Sequence, residues 1–140
     1  MIIGSKDSNC FIKIEFETDG EGYSGFRIEA HVDIGHGKFD ATNVDVQLLN
    51  LTDFTAELEK VINGDANKAC LEGTYESFFA FHTEGSQTKL NFQLGDTLCG
   101  ESGADFHLSG EFEVNRDDLA RFHSGFKDLA EKAGSVSANE

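Results

Sequence analysis

The stretch FIKIEFE, residues 11–17, constrains the fold of this chain more than any other, because apolar and charged residues alternate in it without a break. Ile12, Ile14 and Phe16 fall on one side, and Lys13, Glu15 and Glu17 on the other. Period-two alternation suits a strand with one buried and one wet face and does not suit an amphipathic helix. After the turn-forming TDGEGYSG the pattern resumes, with Phe26, Ile28, Ala30, Val32 and Ile34 set against Arg27, Glu29, His31 and Asp33. A third run, KFDATNVDVQLL, follows the short break GHG, which reads as a hairpin turn.

The period changes at NLTDFTAELEKVING. Leu51, Phe54, Leu58, Val61 and Ile62 recur at helical spacing. Asn50 with Asp53, or Thr52 alone, supplies the N-cap, since a short acceptor side chain satisfies first-turn amides. Asn63 and Gly64 then end the helix.

Four further strands are predicted, at KACLEGTY, SFFAFHTE, TKLNFQLG and ADFHLSGEFEV. EGSQ is short enough for a hairpin, whereas DTLCGESG is a longer loop. In the last strand Phe106, Leu108, Phe112 and Val114 point inward, and Gly110 in the same phase marks a bulge or a close helix approach. A second helix starts at Asn115, with Asp117 and Asp118 favourably placed at the positive end of its dipole. Leu119, Phe122, Phe126 and Leu129 form its apolar stripe. Gly125 interrupts that helix at about 1 kcal/mol relative to alanine, and Gly134 stops it.

The predicted order is three strands, helix, four strands, helix. Strands grouped in hairpins imply an α+β fold, with a largely antiparallel sheet of about six to seven strands and two helices packed on one face. The expected layout is one domain over residues 1–134 and a flexible tail over 135–140. No internal repeat is read, and no proline marks a linker.

The chain carries 26 acidic against 11 basic residues, a net charge of −15. Half of the acids, 13, lie in residues 1–65 and 13 lie beyond, so the charge belongs to the folded surface rather than to a tail. Such a field repels nucleic acid and anionic membrane and draws in cationic partners. No apolar run approaches the roughly 20 residues that span a bilayer. The start MIIGSKDSNC lacks a signal peptide's basic and apolar segments. The expected location is therefore cytoplasmic. Cys10, Cys70 and Cys99 show no C-x-x-C spacing and read as reduced, inert thiols.

Chemistry is sought first in HVDIGHGKF. His31 and Asp33 share an outward strand face at about 7 Å, and His36 follows in the turn. These three are candidate zinc-type ligands, yet an exposed strand face offers no second shell to orient the imidazoles. His82 with Glu84 and His107 with Ser109 are further outward pairs, and His123 borders the stripe of the second helix. No G-x-S-x-G, P-loop or G-x-G-x-x-G occurs. In SFFAF, phenylalanines occupy both faces of one strand, which reads as core.

The order of elements resembles the WapI family of bacterial immunity proteins. The resemblance lies in the glycine turn Gly37-Lys38-Phe39, in Leu51, Phe54 and Leu58 of the first helix, and in the strand–helix junction EFEVNRDDL. It runs from Phe11 to Ala133. The chain departs from that pattern in lacking tryptophan and in carrying Asn115-Arg116-Asp117-Asp118-Leu119 where D-Q-T-x-L is usual. The resemblance implies a small cytoplasmic protein that neutralises a toxin module made by the same cell, often a nuclease, without catalytic residues or a cofactor. Outward Glu15, Glu17, Glu29, Asp33, Glu111 and Glu113 are the expected surface for a cationic toxin. The alternatives are a metal-dependent hydrolase using His31, Asp33 and His36, and an accessory domain holding a small molecule on its open sheet face.

Overall fold

The computed structural model describes residues 1–95 and 106–138, with side chains to residue 135. Eight strands form two antiparallel sheets of four, not one sheet. The first contains β1 (Ile2–Gly4), β2 (Cys10–Thr18), β3 (Ser24–Asp33) and β4 (Lys38–Val46) in chain order. Helix α1 (Leu51–Ile62) follows. The second sheet holds β5 (Lys68–Glu72), β6 (Phe78–Glu84), β7 (Gln87–Leu94) and β8 (Leu108–Val114), again in chain order. A 3-10 turn, Arg116–Asp118, leads into α2 (Leu119–Ala138).

Strand β1 escapes the sequence pattern because three residues cannot display an alternation, yet Ile3 is fully buried and Ile2–Gly4 pair with Phe11–Lys13. The alternating runs otherwise fold as read except at Ile34, which lies past the end of β3 and is exposed rather than inward. Ile12, Ile14, Ile28 and Ala30 enter the core, while Lys13, Glu15, Arg27 and Glu29 stay on the outer face. One extra residue bulges from β4 near Asp45, whose φ is +61°, so that Phe26 pairs with Val46 but Ile28 pairs with Asn43.

The sheet divides where α1 intervenes. Asn50 occupies the N-cap position, but its side chain does not cap the helix. Its amide donates to the Cys70 carbonyl at 3.0 Å, and its carbonyl oxygen accepts from the Glu72 N–H at 2.8 Å. Those bonds, with a 3.4 Å contact from the Cys70 N–H to Glu57, occupy the outer edge of β5. A covered edge cannot take β4 as a full neighbour. The bridge Leu48–Gly73 and the flanking bonds of Leu49 to Glu72 and between Gln47 and Thr74 join the sheets there.

Both helices close on one core. Phe81 of β6 faces Phe54 of α1 and Phe122 and Phe126 of α2, with ring centroids 6.0–6.4 Å apart. Each fully buried side chain of this size stabilises the fold by roughly 1.5–3 kcal/mol through desolvation. Each half of the chain is four strands in a meander followed by a helix. The buried quartets Leu51, Phe54, Leu58, Val61 and Leu119, Phe122, Phe126, Leu129 have identical spacing. The fold thus repeats internally, a relation hidden in the sequence because the hairpin lengths differ.

Three details depart from the sequence reading. Phe106 is exposed and precedes β8. Gly110 marks neither a bulge nor a helix approach: the β7–β8 register is unbroken, and an added Cβ would rest 3.4 Å from the Phe92 ring across the strand. Gly134 lies inside α2, which continues to Ala138. Gly125 has a packing reason, since Met1 lies against it and a Cβ would meet the Met1 side chain at 3.1–3.2 Å.

Candidate functional site

The β3–β4 hairpin settles the role of HVDIGHGKF. The Asp33 carboxylate accepts from the Gly35 N–H at 2.9 Å, and the Ile34 N–H donates to the Gly37 carbonyl, forming a turn around Gly35 at φ +84°. His31 turns instead to its cross-strand partner: Nδ1 pairs with Asp40, and the imidazole stacks on Phe11 at 5.2 Å. Asp33 thus serves the turn while His31 serves the sheet face, and His36 joins neither. Among the described residues no three His, Cys, Asp or Glu side chains lie close enough to hold a metal ion. The geometry does not bring His31, Asp33 and His36, the alternative ligand set, together.

The other candidate chemistry disperses in the same way. His82 approaches Glu84 at 3.8 Å, and His107 reaches Glu76 at 2.8 Å rather than forming a pair with Ser109. Burial pushes the Cys70 thiol above its usual range, which keeps it protonated and weakly nucleophilic although His82 lies on the same sheet face. The loop from Asp96 to Asp105, with Cys99, lies outside the described residues.

The six carboxylates read as a partner surface divide into two sets. Glu15 and Glu29 sit on the outer face of the first sheet, where neighbouring bases meet them: Lys13 lies 3.0 Å from Glu15, and Arg27 lies 2.9 Å from Glu29. The Lys13 ammonium, through its hydrogen bond, holds the Glu15 carboxyl below its ordinary range. Glu17 belongs to the same face, at the end of β2.

Asp33, Glu111 and Glu113 converge elsewhere. They line a groove of about 700 Å³ between the β3–β4 turn, β8 and the β1–β2 connection. The Lys6 N–H donates to the Glu113 carbonyl at 2.8 Å, and the Lys6 ammonium lies 3.3 Å from the Glu113 carboxylate, so the β1–β2 connection is held against β8. That connection brings a fourth acid, Asp7, which the sequence reading missed. The Ser5 hydroxyl donates to Asp7 at 2.6 Å and the Asn9 N–H at 3.0 Å, and together they hold its carboxyl below the usual range. The order Ser5-Lys6-Asp7-Ser8-Asn9 is the only sequence signal for it, a cluster of residues that bond to their own backbone.

The second sheet has a different outer face. Phe78 and Ala80 of β6 form the floor of a trough of about 660 Å³, rimmed by Glu72, Glu76 and Glu111 and by the exposed Leu49. The pair of aromatic faces in SFFAF therefore splits: Phe79 and Phe81 are fully buried core, while Phe78 is half-buried on the open side.

Fold and grooves together define a two-sheet α+β protein in which Asp7, Asp33, Glu111 and Glu113 line one groove. No described helix is long and apolar enough to cross a membrane. Compared with protein-family models, curated proteins and solved structures, the chain matches none.

Proposed function

We propose that this chain is an immunity protein of the WapI type, which binds a cationic protein toxin and blocks its working surface. The observation that carries the reading is the convergence of Asp7, Asp33, Glu111 and Glu113 on one groove in a chain of net charge −15. Acids held together by the fold, rather than spread over a tail, present a preorganised field to an approaching cation. A nuclease domain is the first toxin class to test, because an active groove that holds a nucleic-acid backbone is cationic. Such a complex needs no cofactor and no catalytic residue of the inhibitor. The first-sheet acids Glu15, Glu17 and Glu29 form an outer ring that steers encounter.

Affinity capture from the native cell lysate, washed at low and then high salt, tests this. The expected result is one cationic protein with a nuclease-like domain, retained at low salt and released at high salt, whose activity the purified chain suppresses. Charge reversal at Asp33, Glu111 and Glu113 should weaken capture more than reversal at Glu15, Glu17 and Glu29. Capture that ignores both salt and charge reversal would overturn the electrostatic basis.

A further inference from the structure

We infer that the trough on the outer face of the second sheet is the anchor site for an apolar side chain flanked by lysine or arginine on the cationic partner. The inference rests on the reading above and assigns that partner a second point of contact. Three observations carry it.

The first is the chemistry of the trough. Phe78, half-buried, and the buried Ala80 floor the trough, and Leu49 beside them is 64% exposed. An open apolar floor of this kind gains most when an apolar group displaces its water. The second is charge. Glu72, Glu76 and Glu111 outnumber Lys68 and His82 in its lining, although Lys89 lies 3.6 Å from Glu111 and His107 lies 2.8 Å from Glu76. The Glu72 carboxylate has no ion-pair partner among the described residues, so bases on either side of an inserted apolar residue find acceptors there.

The third observation is strain at the rim. Tyr75 and Glu76 both adopt left-handed backbone conformations, at φ +58° and +59°, in a turn closed by the Ser77 N–H donating to the Thr74 carbonyl. Two consecutive non-glycine residues in that region are strained, because Cβ crowds the following carbonyl oxygen. Several contacts hold the turn in place: the Gln93 amide donates to the Glu76 carbonyl at 2.9 Å, His107 meets the Glu76 carboxylate, and Gly95 admits the Tyr75 carbonyl where any Cβ would lie 1.6 Å from it. Strain maintained by its surroundings in this way is concentrated at working sites. Here it lies at Glu76, on the rim of the trough. Glu111 lines both this trough and the acidic groove, so one partner can engage both.

The test uses the isotope-labelled full chain and two synthetic peptides of equal charge, one alternating lysine with leucine and the other oligolysine. The alternating peptide should shift the amides of Cys70, Phe78, Ala80 and Asn91 in NMR spectra and should bind more tightly than oligolysine. Leu49→Ser, at an exposed position that leaves the core intact, should weaken it about tenfold, the loss expected for one apolar contact. Phe78→Ser should do the same if the variant remains folded. Shifts confined to the first-sheet face, or equal binding of the two peptides with no effect of Leu49→Ser, would overturn the anchor site and leave the cationic-partner reading standing. If neither peptide binds while the lysate still yields a salt-sensitive cationic partner, the anchor site alone is overturned. Failure of both experiments removes the two readings together.

Discussion

The two halves of this molecule share an architecture and diverge on their outer surfaces. Each is a four-stranded antiparallel meander followed by a helix, and the helices carry apolar quartets at the same spacing, Leu51 to Val61 and Leu119 to Leu129. Outside, both sheets interleave bases with acids, and the second adds a trough floored by the half-buried Phe78 and Ala80. The inner faces answer to a shared core and resemble each other. The outer faces answer to solvent and partners, and there the halves part. The difference teaches where to look for function: not in the repeated helices but in the face that only one half possesses.

The largest effects should come from breaking what the halves share. Phe54 and Phe122 hold equivalent places and both approach Phe81. Each truncation to alanine should cost about 3–5 kcal/mol, the range for a buried phenylalanine, read as a drop in the urea midpoint. Because both rings meet Phe81, the double variant should lose less than the sum of the singles. Additive losses would show that the halves have separate cores. The next largest effect separates two glycines of the second half. Gly95→Ala forces a Cβ onto the Tyr75 carbonyl and should cost about 3 kcal/mol, while Gly110→Ala meets Phe92 at an ordinary 3.4 Å and should be tolerated. Equal losses at the two sites would remove the close approach at Gly95 as the reason for glycine there.

Much of this core was legible in the sequence. Alternation placed β2, β3 and the inner face of the second sheet, and helical spacing placed every member of both quartets. What sequence could not show was pairing across distance. A single sheet was expected because nothing in NLTDF indicates that the Asn50 side chain reaches β5 rather than its own helix. The candidate metal site failed for a similar reason. Residue spacing put His31 and Asp33 on one face, but it could not reveal that Asp40 stands opposite His31 or that Asp33 closes a turn. Asp7 became relevant only when the β1–β2 connection met β8, more than a hundred positions along the chain. Trough and groove alike are built from residues whose neighbours come from other strands.

Two asparagines sharpen the contrast on a smaller scale. Asn115 does what its sequence position suggests and accepts from the Asp117 N–H at 3.3 Å. Its replacement by alanine should cost about 1 kcal/mol, as for an ordinary N-cap. Asn50 binds the edge of β5 through two bonds, and Asn50→Ala leaves a partly buried carbonyl and an N–H without partners, for a loss of about 2 kcal/mol. Hydrogen exchange should separate the two variants more clearly than the melting temperature. Asn50→Ala should expose the Glu72 amide, whereas Asn115→Ala should free only the first turn before α2. Identical exchange in both would remove Asn50 as the reason that β5 is an edge.

The smallest expected effect concerns a feature the first half alone possesses. The bulge in β4 carries Asp45 at positive φ, and Tyr23, from the β2–β3 turn, donates its phenolic hydroxyl to that carboxylate. β8, the corresponding last strand of the second half, runs without a bulge. The hydrogen bond to Asp45 is the main cause that pushes the Tyr23 phenol up to about 12 from its ordinary 10, with burial and charge repulsion adding to it. A raised phenol favours the folded state while protonated, so its stabilisation is complete below pH 10 and fades as the pH rises from 10 through 12. Tyr23 is 41% exposed, and solvent screening keeps the contribution small. The chain has two tyrosines and no tryptophan, so ultraviolet absorbance reads phenol ionisation cleanly. Tyr23→Phe should abolish the step near 12, and Asp45→Asn should move it down toward 10. If Asp45→Asn leaves the step unmoved, the bulge does not hold the turn, and the first half resembles the second more closely than the backbone implies.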